Sequence, residues 1–151
     1  LDWPEPSRVG DLASARLLPV RQALGQFLSS FEMRGLCDNL DSVIVRHCEA
    51  MSGEGIRLME WIRACFRECE NCGDSTALEA KYSVGNCGEC ESDCSLALEF
   101  KYSDGRFFKW RKFAEGFMGE IEALLGKSKE KITTRVKPLG AEQTIAEALF
   151  F

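Results

Sequence analysis

The chain has 151 residues and a mass of 16.9 kDa, and its 45% hydrophobic content is enough to build the core of one domain. Its 24 acidic and 19 basic residues give a net charge of −5, which argues against a general nucleic-acid coat protein or a polybasic membrane binder. A single histidine nearly excludes a His-rich catalytic zinc site, whereas eight cysteines are unusually many for this length.

The N-terminal part predicts an extended arm followed by helices. Residues 1–10 contain two prolines and predict the arm, and residues 11–68 predict the helical part. Apolar residues at three- and four-residue steps indicate a first helix, a second from Asp38 or Asn39 to Met51, and a third that ends near Phe66. Pro19 lies within the first pattern, so that helix either kinks at Pro19 or begins near it. No stretch reaches the roughly 18 uncharged apolar residues that a membrane span needs.

The middle part, residues 69–105, predicts a cysteine-rich β element. Residues 77–83 and 96–102 alternate apolar and polar side chains, which is typical of half-buried strands. The stretches ALEAKYSVG at 77–85 and ALEFKYSDG at 97–105 match at seven of nine positions. We interpret them as two paired strands with a common pattern, and a duplicated strand-turn unit is the alternative.

Six cysteines form a cluster around this β element. Cys69, Cys72, Cys87 and Cys90 have the C-x2-C…C-x2-C spacing that lets four thiolates surround one zinc ion. Cys65 and Cys94 are alternate ligands, because each lies one helical turn or one short loop from a member of the four. The spacing therefore predicts one structural zinc in a zinc-ribbon-like element.

A disulfide framework is the main alternative for the cysteines. The number of cysteines is even, and small secreted domains are rich in disulfides. The close x2 and x3 spacings favour metal binding over loop-closing bridges. Cys37 and Cys48 lie apart from the cluster and are expected to be buried free thiols. His47, next to Cys48, is expected to be a structural histidine, because neighbours on a helix point about 100° apart and cannot form a nucleophile–base pair.

The C-terminal part, residues 106–151, predicts an aromatic helix, a short strand and a last helix. Trp110, Phe113, Phe117, Ile121 and Leu124 form an apolar stripe at helical spacing that we assign to the core. Residues 132–136 predict the strand, and residues 141–151 predict the last helix.

Charge is distributed unevenly along the chain. Residues 1–100 carry 17 acidic and 9 basic residues, residues 101–137 carry 5 and 10, and the last fourteen add two acids. Within the basic segment, Lys109, Arg111 and Lys112 are the candidates for contact with an acidic protein or with nucleic acid. The alternative is a solvated face over an aromatic core.

Together these patterns predict one compact α+β domain, mainly helical, with a small cysteine-anchored antiparallel β element in its middle. We expect a non-enzymatic interaction module stabilised by zinc, in the cytoplasm or nucleus, with a protein partner and a possible nucleic-acid contact through residues 101–137. The alternative is a secreted, disulfide-stabilised effector or surface-recognition domain without metal. No constellation of catalytic residues is recognisable in the sequence.

Overall fold

The computed structural model of the chain describes residues 15–67, 80–86, 94–113 and 118–135. These residues form a six-stranded mixed sheet and three α-helices, with a 3-10 turn at Glu49–Met51. The helices are α1 (Leu18–Leu28), α2 (Met33–Cys37) and α3 (Ser52–Arg67). The strands are β1 (Leu40–His47), β2 (Lys81–Asn86), β3 (Cys94–Tyr102), β4 (Phe107–Phe113), β5 (Met118–Leu124) and β6 (Glu130–Arg135).

The strand order is β2-β1-β3-β4-β5-β6. β2 is parallel to β1, and every other neighbouring pair is antiparallel. The chain passes from β1 to the parallel β2 through α3, as a parallel pair requires a long connection. β2 and β6 are the edges of the sheet among the described strands.

The core lies between the helices and one side of the sheet, which we call the inner face. Alternate residues of each strand point to this face, because the side-chain period of a strand is two. The largest fully buried side chains of the core are Trp110, Phe100, Phe108, Leu17, Leu24, Leu58, Leu96, Leu98, Ile121, Val43 and Val45. Phe108 stacks between Phe27 of α1 and Phe100 of β3, with ring centroids 5.8 and 5.0 Å apart. The helical layer is thus fixed to the middle of the sheet by aromatic contacts.

The prediction of a mainly helical domain is wrong, and the second predicted helix shows why. Residues 40–47 form β1, a central strand. Leu40, Val43, Ile44 and His47 satisfy a helical spacing, but Ile44 is only half-buried. The buried residues after the register shift that follows Leu40 are Val43, Val45 and His47, which follow a period of two. Short apolar runs fit both periods, and the β-branched side chains of this one favour the strand.

The predicted aromatic helix is also wrong. Its residues form β4 and β5, with residues 114–117 between them outside the described residues. Phe108 and Trp110 are buried, whereas Lys109 and Arg111 are exposed. This alternation has the period of a strand and not that of a helix. The third predicted helix and the strand at 96–102 are confirmed by α3 and β3. β6 falls close to the strand predicted at 132–136, and β2 only overlaps the strand predicted at 77–83. The predicted pairing of the strands at 77–83 and 96–102 is wrong, because β1 lies between β2 and β3 and pairs with both. The predicted arm at 1–10 and the last helix at 141–151 lie outside the described residues.

An arginine and a tyrosine attach the turn between β3 and β4 to α2. Arg106 donates hydrogen bonds of 2.7 Å to the backbone oxygens of Gly35 and Asp38, and its guanidinium lies 4.5 Å from the centre of the Tyr102 ring. The Tyr102 hydroxyl donates a 2.7 Å hydrogen bond to the buried backbone oxygen of Leu36. These bonds satisfy carbonyls that a helix end leaves without partners.

Candidate interaction surface

The candidate site is the side of the sheet that faces away from the helices, which we call the outer face. Strand register arranges its side chains in three successive rows across the sheet. The first row contains Lys81, Ser42, Lys101, Phe107 and Leu124. The second contains Ser83, Ile44, Glu99, Lys109, Glu122 and Lys131. The third contains Gly85, Arg46, Ala97, Arg111, Glu120 and Thr133. No other element among the described residues covers these rows.

Carboxylates in the middle of the outer face are each held by cations. Glu99 lies 3.5 Å from Arg46 on β1 and 4.0 Å from Lys109 on β4. Glu120 lies 3.0 Å from Arg111 and 2.9 Å from Lys131. These pairs join adjacent strands directly, and opposite charges at such positions stabilise a sheet.

The cations keep the β5 carboxylates ionised. A hydrogen bond from Lys131, and then one from Arg111, lower the pKa of Glu120 below its ordinary value. A hydrogen bond from Lys129, 2.7 Å away, lowers the pKa of Glu122. A carboxyl that serves as a general acid needs the opposite shift. The outer face therefore presents fixed charges, which suit binding better than proton transfer.

Two aromatic rings of β4 flank the charged centre of the outer face. The Lys109 ammonium lies 5.4 Å from the centre of the Phe107 ring, and the Arg111 guanidinium lies 5.1 Å from that of Phe113. Between the rings, the strands leave a shallow cleft of about 320 Å³ lined by residues of the second and third rows. Each ring fixes the position of a cation that faces this cleft.

The structure separates the three sequence-predicted interaction residues. Lys109 and Arg111 lie on the outer face, where β4 places alternate residues. Lys112 has the opposite register, and its Nζ donates a 3.2 Å hydrogen bond to the backbone oxygen of Phe113. Sequence reasoning missed Arg46 and Glu99 as members of this surface. Their signal is the alternation of β1 and β3, which becomes visible once residues 40–47 are treated as a strand.

The structure does not support the zinc-ribbon interpretation. The described residues contain no group of three or more side chains that could hold a metal ion, so the zinc-binding assignment is withdrawn. The predicted ligands Cys69, Cys72, Cys87 and Cys90 lie outside the described residues. Of the alternates, Cys65 is a half-buried thiol on α3, and Cys94 begins β3.

The structure also describes Cys37, Cys48 and His47, which lie outside the predicted zinc site. Cys48 is a free thiol, as predicted, but it is half-buried and not buried. Cys37 is completely buried but disulfide-bonded, so its prediction as a free thiol is wrong. His47, which was expected to be a structural histidine, is buried with its ring against Gly55 and its Nδ1 2.9 Å from the backbone oxygen of Cys48.

No helix in the described part of the chain is long and apolar enough to span a membrane. Comparison of the chain with protein families, curated proteins and solved structures finds no match. The case for a function therefore depends on the geometry and charge of the outer face.

Proposed function

We propose that the protein is a non-enzymatic interaction module whose outer face binds an acidic segment of a partner protein. The observation that carries this proposal is the sign of the charge on that face. Its three rows contain six Lys and Arg side chains but only three Glu. Ion pairing within the face leaves a cationic excess, and Lys81 and Lys101 in the first row have no ion pair with another described residue.

Charge is unevenly divided between the described residues and the rest of the chain. The described residues include 17 Lys and Arg against 11 Asp and Glu, a net charge of +6. The other residues include 2 against 13, a net charge of −11, and the two parts add to the −5 of the chain. The charges of the described residues therefore have a positive sum, whereas those of the whole chain have a negative sum. A basic surface attracts an acidic partner within a Debye length, about 8 Å at physiological salt.

The three carboxylates favour a protein partner over a nucleic acid. A phosphate backbone needs a continuous track of cations, but Glu99, Glu120 and Glu122 interrupt the second and third rows. An acidic protein segment that also contains a few basic side chains can contact both the cations and these carboxylates. The apolar rims at Phe107 and Phe113 provide contacts for side chains between its charges.

Binding to a model acidic polypeptide tests this proposal. Fluorescence anisotropy of labelled poly-L-glutamate at low salt is compared between the wild-type chain and the double variant Lys109→Gln/Arg111→Gln. We expect the variant to bind about tenfold more weakly, which corresponds to about 1.4 kcal/mol for the two charges. The matched control is Arg34→Gln/Arg57→Gln, which removes two charges from α2 and α3 and is expected to bind as the wild type does.

Two outcomes contradict the proposal. Equal weakening by both double variants would mean that the net charge matters and the outer face does not. Tighter binding to labelled oligothymidylate than to poly-L-glutamate, with the same dependence on Lys109 and Arg111, would identify a nucleic-acid surface instead.

A further inference from the structure

A second interaction site lies at one end of the sheet. We propose that the side of β6 that faces away from β5, which we call the β6 edge, binds an extended acidic segment of a partner protein as an added strand. In this mode of recognition, backbone hydrogen bonds provide affinity and alternate side chains provide specificity. The site is an edge of the sheet and not its outer face, so the inference goes beyond the proposed function and does not depend on it.

The backbone of the β6 edge is open to pairing. Among the described strands, β6 pairs only with β5. The backbone N–H and C=O groups that point away from β5 therefore have no ladder partner in the described part of the chain. Five of the six residues of β6 are exposed, and Thr134 is half-buried. The edge thus offers a row of donors and acceptors to another strand.

Two cations on β6 give the added strand its charge. Lys131 and Arg135 have the register of the outer face, with Thr133 between them. Lys131 pairs with Glu120, but its side chain stays 70% exposed. Arg135 is exposed and has no ion pair with another described residue. A strand paired with β6 places side chains directly opposite these cations, where carboxylates stabilise the pairing. The edge therefore favours a segment with acidic residues four positions apart.

The inner side of β6 adds an apolar requirement. Ile132 lies opposite Ile121 on the inner face, yet it is 42% exposed. A shallow cleft of about 360 Å³ adjoins it, and Phe27 of α1 also lines this cleft. An apolar side chain of the added strand beside Ile132 would remove this surface from water. Because side chains alternate along a strand, the acidic residues of the segment should alternate with apolar ones.

The same cations disfavour a second copy of this chain as the added strand. Two copies related by a twofold axis pair antiparallel, so residues equally distant from a central residue lie opposite each other. Pairing centred on Lys131 places that lysine opposite its own copy. Pairing centred on Ile132 places Lys129 opposite Arg135 of the second copy, and pairing centred on Thr133 places Lys131 opposite it. Like charges directly opposite destabilise a sheet, so the occupant is a partner of opposite charge.

Backbone methylation of a model peptide tests the inference, because it removes N–H donors and leaves the side-chain charges unchanged. The probe is a fluorescein-labelled heptapeptide in which glutamate alternates with valine. Two derivatives carry N-methyl groups only on the glutamates or only on the valines. A strand directs every second N–H to the same neighbour. We therefore expect one derivative to bind as the parent peptide does and the other to bind about tenfold more weakly, measured by fluorescence anisotropy.

Variants of the chain and hydrogen exchange locate the bound peptide. Binding of the parent peptide is expected to slow the exchange of backbone amides in residues 130–135 more than in any other strand. Arg135→Gln is expected to weaken binding about threefold, because it removes one pair of opposite charges between strands. The matched control is Lys81→Gln on β2, the other edge of the described sheet, which is expected to bind as the wild type does. Both residues are exposed, so both variants are expected to fold.

Equal binding of the two methylated derivatives would refute the inference, because it would show that the peptide backbone does not pair with β6. Unchanged exchange in residues 130–135 would refute it as well. A peptide affinity that falls in Lys109→Gln/Arg111→Gln but not in Arg135→Gln would place the peptide on the outer face. That result would overturn the inference and leave the proposed function intact.

Discussion

Replacement of Gly119 by alanine is expected to destabilise the fold, although alanine is ordinarily the better residue in a strand. An added Cβ would lie 2.9 Å from the backbone oxygen of Arg111, about half an ångström closer than the 3.4 Å of ordinary contact. It would also meet the Thr134 hydroxyl at 2.8 Å. Relief of both contacts requires a shift of β5 away from β4 or β6, because Gly119 is paired with a residue on each of these strands.

The size of this effect follows from two opposing terms. Overpacking in a core costs about 1–3 kcal/mol. Alanine restricts the unfolded chain more than glycine does, which stabilises the folded state by about 0.4–1 kcal/mol and offsets part of that cost. We therefore expect a net loss of about 1–2 kcal/mol in the free energy of unfolding, measured as a lower midpoint of urea denaturation with an unchanged slope.

The control and a double variant separate the causes. Gly85→Ala on β2 places its Cβ in open space, so the same substitution is expected to be neutral or slightly stabilising there. Adding Thr134→Ala to Gly119→Ala removes the contact with the hydroxyl but leaves the contact with the Arg111 backbone, so only part of the stability is expected to return. If Gly119→Ala proves as stable as the wild type, the close packing of β4, β5 and β6 at this position is refuted.

Three further predictions concern single groups. Tyr102→Phe is expected to lower the free energy of unfolding by about 1–2 kcal/mol, because it leaves the buried Leu36 carbonyl without its donor; an unchanged urea midpoint would contradict this role. Glu120→Gln tests a pH dependence. The folded-state pKa of Glu120 lies below its ordinary value of 4.5, so ionised Glu120 stabilises the fold, by about 1 kcal/mol or less. This stabilisation is complete above pH 4.5 and is lost as the pH falls through the lower folded-state pKa. The stability difference between wild type and Glu120→Gln should disappear in acid, and a constant difference would show that the Lys131 pair does not cause it. Thiol titration of the denatured, unreduced chain should find fewer than eight thiols because Cys37 is disulfide-bonded, and a count of eight would contradict this assignment.

The sequence predicts which segments are regular better than it predicts which regular structure they adopt. The assignment of α3 succeeds because Leu58, Ile62 and Phe66 keep the helical period over 16 residues, too long a run for a strand. The assignment of β1 fails because its eight residues fit a helix and a strand equally well by apolar spacing. Only pairing with β2 and β3 decides between them, and this pairing joins residues 42 and 81, which are far apart in the chain.

The same limit applies to the outer face. The cations Lys109 and Arg111 were visible in the sequence as part of a basic segment, but their partners were not. Glu99 and Arg46 come to the same face only through the register of β1, β3 and β4. Lys112 adjoins Arg111 in sequence, yet it has the opposite register. A charge count along the chain therefore identifies the basic segment, but only the strand register shows which of its residues lie on the outer face.

The polarity of the outer face alone is no sign of a function, because the described helices pack only against the inner face. An antiparallel sheet with one solvated face must present polar residues there, and paired charges of both signs meet that need. Solubility would be served equally well by as many carboxylates as cations, or by an acidic excess like that of the chain as a whole. The three rows contain six cations and three carboxylates, so they are neither balanced nor acidic but have an excess of positive charge. Strand pairing fixes the positions of these residues. The proposal of an acidic partner therefore depends on the sign of this excess, more than on the presence of charge. The comparison of Lys109→Gln/Arg111→Gln with Arg34→Gln/Arg57→Gln tests the effect of that sign.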